Sequence, residues 1–242
     1  AHAYQVATGA PQLYMSQVST NQPTQIVVRD DGVLVLDHST ISSNLVLRIY
    51  LFDNGRLYLN SSTLSASVVL IMNDNSMAYM EESKVQGDLQ APATSSAELV
   101  AFNTTFGRAW SYFGGTSTAE LTGASISGAP AVSPRDAATV TLYSWIVASV
   151  YDGTGLHKIP GAYVEARSFI DQNVYATGLT NETGEWRFRA LSDVVTADGT
   201  GSVVSGYYQL NATHWYAGDR YDSDADKIAQ VQYNPDAVLV RS

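Results

Sequence analysis

Five eleven-residue strings in the first half of the chain follow one pattern. The first two are "GVLVLDHSTIS" from Gly32 and "GRLYLNSSTLS" from Gly55. The pattern returns in "SMAYMEESKVQ", "AELVAFNTTFG" and "STAELTGASIS", which begin at Ser76, Ala97 and Ser117. A repeat of about 20 residues is typical of solenoids, because no single coil can bury its inner face and stacked coils share one continuous core.

Apolar residues recur at the same places in all five strings and form three columns. The columns are Leu34, Leu57, Ala78, Leu99, Ala119; then Leu36, Leu59, Met80, Ala101, Leu121; then Ile41, Leu64, Val85, Phe106, Ile126. The intervals in the third column are 23, 21, 21 and 20 residues. Four and six residues after the third column, constant spacing predicts two further columns: Leu45, Val68, Leu89, Trp110; and Leu47, Leu70, Ala91, Tyr112. Leu13 and Met15, 21 residues before Leu34 and Leu36, predict a partial capping coil.

Each repeat therefore offers about three short segments with the period-2 alternation of β-strands. This pattern predicts a parallel β-helix of about five coils over residues 13–130. A leucine-rich repeat is the alternative, since Leu34, Leu36, Ser39 and Ile41 fit part of its pattern. The return segment "SNLVLRIYLF" alternates like a strand and contains no helical stripe, which favours the β-helix.

Two further columns are expected to have structural roles, one in hydrogen bonding between coils and one in contacts at the outer surface. The hydroxyl residues Ser39, Ser62, Ser83 and Thr104 are expected to form hydrogen bonds along the solenoid axis at one corner. Val33, Tyr58, Tyr79 and Val100 alternate with the core columns and are expected to face outward. Exposed apolar rows of this kind mark contact surfaces, so we predict either contact between subunits or cover by the second half of the chain.

The first 12 residues lie outside the repeat. The segment "HAYQVAT" alternates and has good β propensity, so it predicts a strand whose partner is not in its own domain. Its candidate contact residues are Ala3, Tyr4, Gln5, Val6, Ala7 and Thr8. This segment is the candidate donor strand for a neighbouring subunit.

The second half of the chain has a different sequence pattern. The repeat register ends near Gly128, and residues 131–138 have the Pro, Ala and Ser content of a linker. Residues 139–242 contain short alternating segments separated by Gly, Asp and Asn turns. This spacing predicts a β-sandwich of about seven strands, so the whole chain is predicted to be all-β.

The segments "VYDGTGLHKIPGAYVEA" and "TGLTNETGEWRFRAL" carry a resemblance. They resemble the carboxypeptidase-regulatory-like and Cna-B-type immunoglobulin-like modules, which act as spacers and as adhesive or polymeric units. The matching residues are Asp152, Gly153, Pro160, Gly161, Ala162, Val164, Thr180, Gly184, Trp186 and Phe188. Some Cna-B-type domains form a Lys–Asn isopeptide, but the first strand here, "TVTLYSWIVASV", contains no Lys.

The first half resembles right-handed parallel β-helix surface proteins. The combination with an immunoglobulin-like module resembles archaeal extracellular filament and surface-layer subunits. These resemblances imply a structural protein at the cell surface and no catalytic chemistry.

Charge and composition exclude several partners. The 242 residues contain 13 Lys and Arg against 23 Asp and Glu, a formal net charge of −10. Nucleic acids and anionic membranes are not expected partners, because phosphate binding needs clustered cations. There is no cysteine, and no apolar stretch approaches the roughly 18 residues of a membrane span. The opening "AHAYQVATG" is compatible with signal cleavage or with trimming of the chain.

Four N-x-S/T sequons predict covalent N-glycans or arise by chance in a chain rich in Ser and Thr. Their asparagines are Asn60, Asn103, Asn181 and Asn211. Asn60 and Asn103 are expected in neighbouring columns of one corner, two coils apart.

An acidic run near the C-terminus suggests either calcium, the one candidate cofactor, or a solvated loop. The carboxylates are Asp219, Asp222, Asp224 and Asp226, which alternate as Ca²⁺-binding loops do. The match to an EF-hand is incomplete, since Lys227 follows Asp226 and Tyr233 holds the twelfth position.

Catalysis is not predicted. Asp37 and Glu81 share a column with Asn60 between them, so their carboxylates lie roughly 9–10 Å apart at strand spacing. That distance is at the outer limit for an inverting glycosidase pair. The basic residues Arg48, Arg56 and Lys84 do not gather beside the pair, and the histidines His2, His38, His157 and His214 lack metal-ligand spacing.

The sequence thus favours a structural subunit of an extracellular filament or sheath, which polymerises with copies of itself, head to tail, by β-strand addition of the N-terminal segment. The alternative is a monomeric glycosylated adhesin or a carbohydrate-binding surface-layer accessory. A polysaccharide lyase or hydrolase is a third, less favoured hypothesis.

Overall fold

The computed structural model describes residues 2–6, 13–14, 17–20, 24–108, 110–126, 134–197, 207–223, 227–230 and 239–241. Side-chain environments are described within 24–108, 110–126, 134–197 and 207–223. All 26 regular elements are strands, which confirms the all-β prediction for the described residues. Within these ranges there is also no helix of the length and apolarity that a bilayer crossing requires.

The chain divides into two compact units. The first unit comprises Ala1–Leu142 and Val194–Ser202, and the second comprises Tyr143–Asp193 and Val203–Ser242. Parallel strands build the first unit, and antiparallel pairing dominates the second.

In the first unit the chain visits three parallel sheets, here called A, B and C, in a fixed order. Sheet A contains β1 (His2–Val6), β4 (Thr24–Val28), β7 (Leu47–Leu51), β10 (Val68–Met72), β13 (Asp88–Ala91) and β16 (Tyr112–Phe113). Sheet B contains β2 (Leu13–Tyr14), β5 (Val33–Asp37), β8 (Arg56–Asn60), β11 (Met77–Glu81), β14 (Glu98–Phe102) and β17 (Thr118–Thr122). Sheet C contains β3 (Gln17–Thr20), β6 (Thr40–Ser43), β9 (Thr63–Leu64), β12 (Lys84–Val85), β15 (Thr105–Phe106) and β18 (Ser125–Ile126). Strands β4 to β18 make five complete coils, as predicted, and β1 to β3 precede them.

The three predicted apolar columns of sheets B and C are confirmed. Leu57 pairs with Leu34 and Ala78, and Leu64 pairs with Ile41 and Val85. These side chains are 0–1% exposed. Because every second side chain of a strand points to the same face, each coil adds one residue to each interior ladder. Leu13 pairs with Leu34 as expected, whereas Met15 lies outside the described residues.

The two columns predicted for sheet A are wrong in register. Leu45 precedes β7 and is 45% exposed, whereas Leu47 is buried and pairs with Val68. Leu70 pairs with Leu89. The reason is that the connection from sheet C to sheet A changes length: Leu47 follows Ile41 by six positions, but Val68 follows Leu64 by only four. A constant spacing cannot follow that change.

The predicted hydroxyl column at the corner between sheets B and C is confirmed. Ser39 N donates to Ser62 Oγ at 2.9 Å, and Ser62 N donates to Ser83 Oγ at 3.1 Å. These serines are buried. Each hydroxyl therefore satisfies a backbone N–H of the preceding coil in a place that water does not reach.

At the same corner, one residue per coil adopts a left-handed backbone. His38, Ser61, Glu82 and Asn103 have φ values of 47°, 47°, 48° and 47°. The following coil has Gly123 there, with φ 59°. The recurrence shows that successive coils turn from sheet B to sheet C with the same geometry.

The solenoid continues past its predicted end. Pro134 pairs with Phe113, and Arg135 N donates to Phe113 O at 2.8 Å. Ala137 N then donates to Gly115 O at 2.9 Å. The long strand β19 (Thr139–Ser149) follows β17 in sheet B. The described residues of the linker-like segment, 134–138, are thus paired with the last coil.

The second unit is built around an antiparallel sheet. Its further strands are β20 (Tyr163–Ser168), β21 (Val174–Leu179), β22 (Glu185–Thr196), β23 (Tyr207–Tyr216), β24 (Asp219–Asp222), β25 (Lys227–Gln230) and β26 (Leu239–Arg241). The sheet order is β21-β20-β23-β24, with β25 beside β23, while β22 and β26 pair with β19. Apolar side chains from β19, β20, β22 and β23 form one buried cluster, which includes Ile146, Val164, Phe188 and Leu210. The antiparallel sheet therefore shares its core with β19 and β22.

Several residues of the quoted module motifs occupy structural positions in this unit. Gly161 and Gly184 have φ of 69° and 67°, a conformation that favours glycine at turns. Thr180 Oγ1 donates to Ile159 O at 2.7 Å and accepts from Ala162 N at 2.9 Å. These motif residues thus shape turns and backbone hydrogen bonding within the second unit.

Candidate assembly surfaces

The predicted donor strand β1 is already paired with strand β4 of its own chain. Within β1, Ala3 to Val6 pair in parallel with Gln25 to Val28 of the same chain, while Ala7 and Thr8 lie outside the described residues. The expectation that this segment has no partner in its own domain was wrong. His2 precedes its partner Thr24 by 22 residues, the length of one coil, so the segment continues the solenoid register.

The N-terminal coil instead offers open strand edges. Strands β1, β2 and β3 are the terminal strands of sheets A, B and C, and each pairs with the next coil on one side only among the described residues. An edge of this kind presents backbone N–H and C=O groups that can pair with another chain. Among the described strands, the outermost members of all three sheets thus lie together in the N-terminal coil.

The outer face of sheet B carries three outward columns, and the third contains Asp37, Asn60, Glu81, Phe102 and Thr122. The first column contains Val33, Arg56, Met77, Glu98 and Thr118, and the second contains Val35, Tyr58, Tyr79, Val100 and Glu120. We call this surface the outer B face. Val33 was predicted in the tyrosine column but pairs with Arg56, because it precedes its inward leucine whereas Tyr58 follows one. Val35 takes its place.

The aromatic residues of the outer B face pack on one another. The ring centroids of Tyr58 and Tyr79 are 6.1 Å apart, and those of Tyr79 and Phe102 are 5.8 Å apart. Burial and the neighbouring Glu81 carboxylate, to which the Tyr79 hydroxyl donates at 3.4 Å, raise the pKa of Tyr79. The middle column of this face is therefore aromatic and aliphatic, with the Glu81 carboxylate beside Tyr79.

Two exposed charges lie beside that middle column. Arg56 lies one coil before Met77, and Glu98 lies one coil after it. Neither side chain forms a salt bridge with any residue in the described part of the chain. This pair was not predicted from the sequence. A signal for it exists, because Arg56, Met77 and Glu98 hold equivalent positions in three consecutive repeats.

The sequon asparagines occupy three kinds of position. Asn60 pairs with Asp37 and Glu81 in one column, and Asn103 stands in the adjacent left-handed column, so the expected neighbourhood at one corner is confirmed. Both are exposed, as is Asn181 at a turn, where its side-chain oxygen accepts from the backbone of Thr183 at 3.0 Å. Asn211 is half-buried in β23. Glycan attachment at these sites stays a prediction.

The acidic run is only partly described. Asp219 and Asp222 belong to β24 and lie three residues apart, so their side chains point to opposite faces of the strand. Asp222 accepts from Thr213 Oγ1 at 2.8 Å and from Arg220 Nε at 2.9 Å, which lowers its pKa. Asp224 and Asp226 lie outside the described residues. No group of three or more potential metal ligands occurs within the described part, and the calcium site stays a prediction.

Asp37, one of the two carboxylates considered for catalysis, is hydrogen-bonded to neighbouring polar side chains. Asn60 Nδ2 donates to Asp37 Oδ1 at 2.7 Å, and His38 Nδ1 lies 2.9 Å from the same oxygen. The basic residues are dispersed, since Arg48, Arg56 and Lys84 belong to strands of sheets A, B and C respectively. Of the other histidines, His157 Nδ1 lies 3.0 Å from Asp152 Oδ2. The hydrogen bond from Thr154 Oγ1 and then that with His157 hold the pKa of Asp152 well below its usual range.

The geometry thus presents one end with open strand edges and one flat face with an aromatic and aliphatic middle column. Comparisons with protein-family models, with curated proteins and with solved structures found no match to this chain.

Proposed function

We propose that this chain is a structural subunit of an extracellular filament or sheath, and that it builds by strand addition and not by catalysis. The observation that carries the proposal is the N-terminal coil, where β1, β2 and β3 leave three parallel sheets open at one end among the described residues. Head-to-tail contacts between different surfaces of identical subunits generate open fibres unless the rotation between subunits closes a ring. Head-to-tail growth from this end fits such a contact.

Strand addition occurs here through the edge of β1 and not through a detached strand. Because β1 is held by β4 in its own chain, its second edge is presented in a fixed register. Backbone hydrogen bonds to an incoming strand would supply affinity, and the side chains at the end of the solenoid would supply specificity. A preformed edge also avoids the entropic cost of ordering a free segment on binding.

Proline scanning of β1 tests the proposal. Successive N–H groups of a strand point to opposite edges, so proline at one of Tyr4 and Gln5 removes a donor to β4 and proline at the other removes a donor from the open edge. The variant that loses a donor to β4 should have a lower free energy of unfolding. The variant that loses a donor from the open edge should keep wild-type stability but no longer polymerise. Urea unfolding monitored by circular dichroism and sedimentation with negative-stain microscopy provide the two readouts. Filaments formed by the variant of wild-type stability would contradict edge addition.

Glycosylation and an immunoglobulin-like second unit complete the proposal. Asn60, Asn103 and Asn181 are exposed, and the turn glycines and the core of the second unit support a spacer module. Both features fit a protein at the cell surface. Peptide mass spectrometry of the native protein should find glycans on these asparagines, and Asn→Gln variants should lose them one by one. Unmodified asparagines in native material would remove this part of the proposal.

A carbohydrate-binding adhesin is the second candidate, and one observation favours it. The β23–β24 hairpin of the second unit exposes Trp215, Tyr216 and Tyr221 at 64%, 69% and 56%. Aromatic rings offer an apolar face with a polar tip at such wet surfaces. Glycan-array binding by a monodisperse monomer, lost in Trp215→Ala, would favour this function over the filament.

A further inference from the structure

Strand β21 forms an open edge of the antiparallel sheet in the second unit. It is the last strand of the order β21-β20-β23-β24 and pairs with β20 on one side only among the described strands. Thr180 N donates to Ala162 O at 2.9 Å, just past the end of β21. Because hydrogen-bonding positions alternate along an antiparallel strand, the N–H and C=O groups of Thr177 and Leu179 point away from β20. Neither residue has a backbone partner on that side within the described part of the chain.

The side chains of β21 suit pairing with another strand. Its sequence, VYATGL, contains no charged residue and no proline. Val174, Tyr175 and Leu179 are 48%, 39% and 63% exposed. Native sheets protect their edges with charges, proline or short strands, and an exposed apolar edge without these devices readily accepts a further strand.

The other edges of the second unit have such protection. Strands β24 and β25, on the far side of β23, have four residues each and both contain charged residues. Strand β22 contains four charged residues. Both backbone groups of its Leu191 are occupied, because the N–H donates to Tyr175 Oη at 3.1 Å and the C=O accepts from Tyr208 Oη at 2.9 Å. Among the described strands of the second unit, β21 is thus the uncharged open edge.

The last coil of the solenoid offers little room for an incoming strand. In sheet A, Phe113 of β16 is already paired with Pro134, and in sheet B β17 is followed by β19. Sheet C ends in β18, which has only two residues. A neighbouring copy that adds its N-terminal coil by edge pairing therefore needs a receiving edge elsewhere, and β21 is long enough to provide it.

We infer that β21 receives the open edge of β1 from the next copy of this chain. The inference rests on the proposed function, which supplies β1 as the incoming edge. The two strands have similar lengths, six and five residues, and the sequence of β1, HAYQV, contains no Asp, Glu, Lys or Arg. Pairing the two edges therefore buries no carboxylate, ammonium or guanidinium group of either strand. Pairing of β21 with β21 would instead close a dimer, and growth would stop there.

Proline in β21 tests the receiving edge. Thr177→Pro removes a donor from the open side and keeps the hydrogen bonds to β20, so it should retain the urea-unfolding midpoint of the wild type but lose polymerisation. Leu179→Lys places a charge on the same edge at an exposed position, and it should weaken polymerisation at least about tenfold.

The matched control is a proline on the protected edge of the same sheet. Ser223 N donates to Ala212 O, so the N–H of Arg220 in β24 points away from β23 by the same alternation. Arg220→Pro should therefore polymerise as the wild type does.

Complementation identifies the strand that β21 receives. The second component is the β1 proline variant that keeps wild-type stability and lacks an open-edge donor, here called the β1-edge variant. Neither Thr177→Pro nor the β1-edge variant should assemble alone. An equimolar mixture should form dimers with one copy of each variant and no longer species, because it offers one intact β21 to one intact β1. Sedimentation velocity measures these species.

Three results would overturn the inference: filaments formed by Thr177→Pro, a mixture that stays monomeric, or a dimer formed by the β1-edge variant alone, in which β21 pairs with itself. The proposed function stands in each case as long as the β1-edge variant forms no filaments. Filaments formed by the β1-edge variant would contradict edge addition itself, and with it both the proposed function and this inference.

Discussion

At the residue scale, the solenoid depends on buried polar groups that find partners in the next coil. Ser62 is an example, because its hydroxyl accepts from Ser39 N and lies 2.7 Å from Asn60 O, to which it donates. The same contact recurs one coil further on with Ser83. A hydroxyl at this corner thus joins two coils by hydrogen bonds along the axis, as the column of hydroxyl residues was expected to do.

Substituting Ser62 by Ala should destabilise the first unit. The change leaves the buried N–H of Ser39 without its acceptor, which typically costs about 1–3 kcal/mol. Urea unfolding would measure the loss. Thr63→Ala, on the neighbouring half-buried position that faces outward in sheet C, serves as control and should stay within about 0.5 kcal/mol. Equal effects of the two substitutions would contradict the role assigned to the hydroxyl column.

Asp88 predicts a pH dependence of stability. Partial burial opposes its ionisation, but hydrogen bonds from Ser111 Oγ at 2.6 Å, from Gln90 Nε2 and from Ser111 N outweigh burial and lower its pKa. A lowered folded-state pKa contributes stability above the ordinary aspartate value near 4, and this contribution disappears as the pH falls through the folded-state value. The difference in unfolding free energy between wild type and Asp88→Asn should therefore be largest at neutral pH and shrink below about pH 4. A difference that grows on acidification would contradict this assignment.

At the element scale, the alignment of buried residues between coils could be predicted from the sequence for sheets B and C but not for sheet A. The strings that begin at Gly32 and Gly55 span sheets B and C and the corner between them, whose length is constant, so their columns could be predicted from spacing alone. The corner into sheet A varies in length, and only the pairing of Leu47 with Val68 reveals the correct register. The partner of β1 was missed for a similar reason, since alternation predicts a strand but not which edge it joins.

The corrected register of sheet A can be tested with two matched substitutions. Leu47→Ala removes a fully buried side chain and should cost about 2–5 kcal/mol of unfolding free energy. Leu45→Ala removes the same atoms from an exposed position and should change stability by less than about 0.5 kcal/mol. Thermal or urea unfolding distinguishes the two. The opposite ranking would restore the column that constant spacing predicts.

The coils approach each other so closely at Gly87 that a larger residue cannot be accommodated there. A methyl group on Gly87 would lie 1.7 Å from the carbonyl oxygen of Val68 in the preceding coil. Gly87→Ala should therefore force the coils apart and cost about 1–3 kcal/mol. Gly153, where an added methyl meets nothing within 4 Å, is the control in the second unit. Wild-type stability of Gly87→Ala, measured by urea unfolding, would show that the two coils are not in such close contact.

At the scale of the whole molecule, the outer surfaces of the solenoid differ in character. Sheet C presents an outward column of small or charged polar side chains, namely Thr40, Thr63, Lys84, Thr105 and Ser125. Sheet B presents Val35, Tyr58, Tyr79 and Val100 in its middle outward column, with mostly polar or charged side chains in the columns on either side. The proposed building role rests on the open strand edges of the N-terminal coil and not on this face.

Cryo-electron microscopy of the assembled wild-type protein tests the central proposal most directly. We predict filaments in which β-sheet density continues across each subunit boundary through the edges of β1, β2 and β3. Protein that stays monomeric at every concentration, or filaments in which these three edges face solvent, would contradict it.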